Sequence, residues 1–167
     1  MIDIEQFRKQ KDEYLRTAHE SPIPHGKRVD FAGLTYFPPS PDLAFTVEPR
    51  DADGTEVTVQ TSDGQQRIYR RAKVATIEVA GEQADVTLYD TGAHGYFVPF
   101  RDATSGKESY GAGRYLDVHP NEDGTVTLDF NYAYNPYCAY DEAFSCPLPP
   151  IENWLEVRIA AGETYER

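Results

Sequence analysis

Residues 100–115 read Phe100-Arg101-Asp102-Ala103-Thr104-Ser105-Gly106-Lys107-Glu108-Ser109-Tyr110-Gly111-Ala112-Gly113-Arg114-Tyr115, and few loops carry such a mixture. Two arginines, a lysine and three hydroxyl residues stand in a glycine-rich frame. These are the groups with which an anion or carboxylate is held, through bidentate guanidinium bonds and backbone N–H groups. The competing reading is a long hairpin whose arginines pair with Asp102, Glu108 and Asp117.

A second polar segment follows at residues 127–138. If it is a strand, Thr127, Asp129 and Asn131 share one face while Leu128, Phe130 and Tyr132 share the other. The polar face either meets solvent or lines a cleft. Taken together, Arg101, Asp102, Tyr110, Arg114, Asp129, Asn131 and Asn135 form a candidate site for a small anionic or polyhydroxy ligand, in a binding protein or an enzyme. At least one guanidinium is then expected within reach of Asp129, Asn131 or Asn135, beside a pocket partly lined by Tyr110 or Tyr115. The alternative is a non-catalytic structural or protein-interaction module in which the same side chains stabilise loops.

Other chemistries find less support. Residues 102–108 resemble a phosphate loop, yet Arg101 stands where that loop needs glycine and Glu108 where it needs a hydroxyl. Gly111-Ala112-Gly113 lacks the third glycine of a dinucleotide fingerprint and runs into a strand pattern. There is no Gly-x-Ser-x-Gly elbow, and the four histidines are far apart in sequence. No cofactor is therefore expected. Cys138 and Cys146 are eight positions apart, not the tight Cys-x-x-Cys clip of structural zinc, so no metal site is expected. They should lie near one another, either as reduced thiols, which a cytoplasmic chain favours, or as a disulfide.

The elements that must position these groups follow from periodicity. Ile4, Phe7, Lys11, Tyr14, Leu15 and Ala18 recur at helical spacing, which predicts a helix over about 3–18. Ser21-Pro22-Ile23-Pro24-His25-Gly26 stops it. From Leu43 the period becomes two, predicting strands near 43–49, 55–61, 66–71, 73–80, 84–90, 95–101, 113–118, 125–132 and 153–160. Asp53-Gly54, Asp63-Gly64 and Asp123-Gly124 lie between such runs and read as turns joining antiparallel neighbours. The expectation is a mainly β, antiparallel barrel or sandwich with one N-terminal helix. It forms a single domain over 1–167, its β part spanning about 30–165, a length sufficient for a real core.

Charge bounds the partners. Twenty-eight acidic residues against 16 basic ones leave a net charge of −12, a field that repels nucleic acid. The acids are dispersed, as on a hydrated surface that stays soluble in strong salt. No apolar stretch approaches the roughly 20 residues of a bilayer span, and the first residues lack a signal-peptide pattern, so no membrane partner and a cytoplasmic location are expected. Oligomeric state leaves no signature in the sequence.

Residues 100–117, then Asp129-Phe130-Asn131, Asn135-Pro136-Tyr137-Cys138-Ala139-Tyr140, Cys146-Pro147-Leu148-Pro149-Pro150, Glu152-Asn153 and Ala161-Gly162-Glu163, together resemble an uncharacterised bacterial and haloarchaeal family, domain of unknown function 1684. The resemblance spans roughly residues 20 to 165. It implies that these motifs are family features, and it implies no substrate.

Overall fold

A computed structural model describes residues 3–92 and 94–165. Helix α1 occupies Ile4–Thr17 and starts where the Asp3 carboxylate accepts the Gln6 N–H at 2.8 Å. That bond satisfies one of the orphan donors of the first turn. Of its residues only Leu15 is buried. Eight strands follow among the described residues: β1 Ala44–Val47, β2 Arg50–Asp51, β3 Glu56–Gln60, β4 Gln66–Val79, β5 Glu82–Asp90, β6 Tyr96–Phe100, β7 Arg114–Val118 and β8 Val126–Asp129. All pairings between them are antiparallel. The mainly β expectation holds, as an open sandwich-like arrangement of sheets and not as a closed barrel.

The larger sheet has the order β2-β4-β5-β6-β7, with β3 also on β4, while β1 and β8 form a separate ribbon. From β3 to β7 each strand pairs with the next, as alternating polar and apolar runs with short turns dictate. Asp63-Gly64 makes the β3–β4 turn, and Ala80-Gly81, both at positive φ, makes the β4–β5 turn. Between sheet and ribbon lies the main core, with Ala75, Ile77, Val86, Leu88, Val98, Phe100, Leu116 and Val118 from one side and Val126, Leu128 and Phe130 from the other. Val157, Ile159 and Ala161 of the C-terminal segment close it.

Three local departures from the sequence reading matter. The strands expected at 66–71 and 73–80 are one strand, broken in phase by a bulge at Ala72. One extra residue exchanges the two faces, so Tyr69 points away from the main core and Ala75 points into it. Phe130–Tyr132 is a 3-10 turn, so Asn131 leaves the strand face it was expected to share with Asp129. Residues 153–160 make no strand. They run alongside the end of β6, with a single parallel bridge from Trp154 to Arg101.

That last segment solves a problem set by proline. In the β5–β6 register Tyr89 faces Phe97, so Thr87 would face Pro99, which has no N–H to donate. The fully buried Asn153 side chain stands in this gap. Its Oδ1 accepts the Thr87 N–H at 2.9 Å, and its Nδ2 donates to Thr87 O at 2.9 Å and Pro99 O at 3.0 Å. A side-chain amide has the donor and acceptor of a peptide group, so it replaces the missing rung.

Candidate functional site

Arg114 opens β7 directly opposite Phe100, so both side chains point into the main core and Arg101, one residue on, falls on the other face. The pleat thus puts the two arginines of the candidate site on opposite faces. Arg114 is 0% exposed. Its Nη1 donates to Ala161 O at 2.5 Å and Glu163 O at 3.1 Å, and its Nη2 to Ile159 O at 2.9 Å and Asp102 Oδ1 at 3.3 Å. Asp102, also buried, accepts from the Ile159 N–H at 2.7 Å and the Thr104 hydroxyl at 2.9 Å. The pair therefore bonds the hairpin to the C-terminal segment. Gly113 beside it sits at φ +105°, and a Cβ there would meet Phe100 O at 2.6 Å, so only glycine lets the hairpin pass.

The other expected site residues are placed apart. The Arg101 guanidinium lies 4.6 Å over the Trp154 ring. Tyr110 packs edge-on against Tyr165 at 4.8 Å, and burial pushes its phenol up to about 12. Asp129 accepts the Asn131 backbone N–H at 3.1 Å and its Nδ2 at 2.8 Å. Asn131 also exchanges two bonds of 2.9 Å with the Ser40 backbone. The Asn135 N–H donates to Glu163 Oε1 at 2.9 Å. Among the described residues, neither guanidinium hydrogen-bonds Asp129, Asn131 or Asn135. Asn135 is tied to Arg114 only through Glu163, which is 2% exposed and ion-paired with Lys11 of α1.

Cys138 and Cys146 do lie together, the Cys138 N–H donating to Cys146 Sγ at 3.2 Å, and both are free thiols. Burial pushes the Cys146 thiol up to about 11, so it is neutral at physiological pH and a poor nucleophile.

A concave feature lies on the face of the larger sheet opposite the main core. A cleft of about 960 Å³ opens between that face, α1 and the loop of residues 137–147. Tyr69 of β4, Phe97 of β6, Tyr115 of β7 and Tyr134 form its floor. Their rings interlock, Phe97 with Tyr115 at 4.7 Å and with Tyr69 at 5.9 Å, and Tyr115 with Tyr134 at 5.7 Å. They share a face because the Ala72 bulge turns Tyr69 toward it and because Tyr115 alternates with Arg114.

Phe7, Gln10, Lys11 and Tyr14 of α1 make one wall. The helix is held by Phe7 packed edge-on against Tyr132 at 4.9 Å, by Asp12 accepting the Leu34 N–H at 3.0 Å, and by the Lys11–Glu163 pair. The opposite wall is Tyr137 and residues 144–147. It is anchored to the β3–β4 turn, where Ser145 Oγ donates to Asp63 at 2.7 Å and the Ser62 N–H to Cys146 O at 2.8 Å. His94 and His119, stacked at 5.6 Å, stand with Arg67 and Asp117 among the polar lining.

Two of the three floor hydroxyls are already engaged. Tyr115 donates to Pro147 O at 2.6 Å, and Tyr134 donates to the Asp117 carboxylate at 3.0 Å. Burial raises both phenols, which keeps the floor uncharged. The cleft has the size and mostly apolar lining of a small-molecule site. Sequence reasoning named Tyr115 as a pocket-lining residue but missed the cleft as a whole, because its residues come from separate segments of the chain. The available signal was aromatic residues on both faces of the same strands, as in Tyr96-Phe97-Val98-Pro99-Phe100.

Antiparallel sheets around one core, an N-terminal helix and an aromatic cleft on the far face define the class: a mainly β protein with an open sandwich-like fold. Residues 29–164 match the family described as "Protein of unknown function (DUF1684)", and the chain belongs to that family. It is similar to the solution NMR structure of an uncharacterised protein from Haloarcula marismortui, with 39% identity and a TM-score of 0.74 over 97% of this chain and 92% of the other. No curated protein matches the chain. No helix among the described residues is long and apolar enough to cross a membrane.

Proposed function

We propose that this protein binds a small organic molecule in the cleft between α1 and the larger sheet, and that the polar family motifs build the frame around that cleft. The carrying observation is the cavity of about 960 Å³ floored by four interlocked aromatic rings. Such rings bring large apolar area at little entropic cost, and ligand sites are usually concave, mostly apolar and preformed. The framing role is supported by the bonds of Arg114, Asp102, Asn131 and Asn153, each of which ends on other groups of the protein.

In this reading Arg101, Asp102, Tyr110, Arg114, Asp129, Asn131 and Asn135 support the site without touching its ligand. We further infer that the chain is a cytoplasmic protein suited to strong salt. Its net charge of −12 and its 39% identity to the Haloarcula protein support that inference.

Saturation-transfer NMR with indole, benzoate and glucose as probes tests the binding site. The aromatic probes should receive saturation from the protein, glucose should not, and Gln10→Trp should abolish the effect by filling the cleft from its exposed wall. Aromatic probes that stay silent, or that bind Gln10→Trp equally well, would refute the assignment.

A further inference from the structure

Two features of the cleft specify its ligand more narrowly than size does. The first is a floor of aromatic faces in which two of the three hydroxyls are spent, Tyr115 on Pro147 O at 2.6 Å and Tyr134 on Asp117 at 3.0 Å. A polyhydroxy molecule laid there would find neither of these two hydroxyls free to pair with its own. A planar conjugated molecule stacks on the same rings without needing such a partner.

The second feature is Arg67. It lies on β4 two residues before Tyr69, so both side chains share the cleft face. Its neighbours Arg70 and Arg71 are ion-paired with Asp90 and Glu152. Arg67 instead donates from Nη2 to the backbone oxygen of Ser145 at 2.7 Å and makes no ion pair among the described residues. That single bond pins the guanidinium to the cleft wall with its remaining donors uncommitted. The other cleft cation, Lys11, is already neutralised by Glu163. Asp117, on β7, also lines the cleft, but its carboxylate accepts the Tyr134 hydroxyl and makes no ion pair with Arg67 among the described residues.

We infer that the cleft selects planar anions, with an aromatic or conjugated body on the Tyr69, Phe97, Tyr115 and Tyr134 floor and a carboxylate- or sulfonate-type group on Arg67. The inference rests on the binding reading above and narrows it. The guanidinium fork matches the two oxygens of such a group. Because Arg67 is largely exposed, its attraction is modest and weakens with salt.

The test uses two fluorescent probes that share one aromatic body, 8-anilinonaphthalene-1-sulfonate and the uncharged N-phenyl-1-naphthylamine, titrated at low ionic strength. The sulfonate should bind about fivefold more tightly. Arg67→Gln should remove the difference, Arg67→Lys should keep most of it, and Gln10→Trp should displace both probes. Equal binding of the two probes, or a preference that survives Arg67→Gln, would overturn the anion inference while leaving cleft binding intact. Failure of both probes to bind, or undiminished binding to Gln10→Trp, would remove the cleft reading and the anion inference with it.

Discussion

The Asp102 carboxylate lies 3.3 Å from the Arg114 guanidinium, and both side chains are closed off from solvent. Neither group lines the cleft between α1 and the larger sheet. The pair instead bonds the backbone of the C-terminal segment at Ile159, Ala161 and Glu163, a segment that forms no strand among the described residues. The charged residues that make residues 100–115 look like an anion site therefore hold the last part of the chain against the core.

Removing one member of such a pair leaves the other buried and uncompensated. Asp102→Asn should lower stability to unfolding in urea by about 3 kcal/mol or more. Arg101→Ala, which loses only a half-exposed contact over Trp154, should cost about 1 kcal/mol or less. Equal losses in the two variants would contradict the framing role of Asp102.

Asn153 offers a sharper test of how the sheet is completed. Asn153→Ala strands the Thr87 N–H, the Thr87 carbonyl and the Pro99 carbonyl in the core, each worth about 1 kcal/mol or more. The Thr87 amide should then exchange with solvent much faster, while amides in the β6–β7 pairing stay protected. An unaltered exchange rate at Thr87 would show that the side chain does not replace the missing rung.

Acid should destabilise the fold through its turns. A hydrogen bond from the Thr55 side chain holds the Asp53 carboxyl below the ordinary carboxylate range, the Thr61 and Ser145 hydroxyls do so for Asp63, and the Thr125 side chain does so for Asp123. A folded-state value below the unfolded one means that the stabilisation is fully present above the ordinary range and is lost as pH falls through the folded-state value. The melting temperature should drop as pH is lowered from 6 toward 3, and less steeply in the triple variant Asp53→Asn, Asp63→Asn, Asp123→Asn. An identical slope in both proteins would remove the turn carboxylates from the account.

Dispersed negative charge sets the response to salt. With a net charge of −12, screening relieves self-repulsion in the compact state, so the melting temperature should rise between about 0.05 and 1 M potassium chloride. A midpoint that stays flat or falls across that range would contradict the inference of suitability for strong salt.

Most of the architecture was legible because local signals and tertiary structure agree. The α1 stripe, the period-two runs and Asp63-Gly64 all mark elements that form. The departures arise where a long-range partner overrides the local pattern. Ala72 reads as a break between strands, but β5 pairs on both sides of it and keeps one strand. Residues 153–160 alternate like a strand, yet Asn153 uses its side chain to bond β5 and β6. Asn131 is drawn out of β8 by Ser40, 91 residues earlier in the chain. Pairing of the hairpin arginines with carboxylates was one of two readings of residues 100–115, and for Arg114 the geometry is that of a pair with Asp102. The cleft was not legible, because its floor exists only when the bulge in β4 brings Tyr69 to the face that Phe97 and Tyr115 already share.

Chemical-shift mapping on the ¹⁵N-labelled protein, titrated with 8-anilinonaphthalene-1-sulfonate, tests the cleft most directly. Saturable shifts are expected at the amides of Arg67, Tyr69, Phe97, Tyr115 and Tyr134, with residues 102–109 undisturbed. Shifts confined to residues 101–114, or no saturable shift at the cleft residues, would contradict cleft binding.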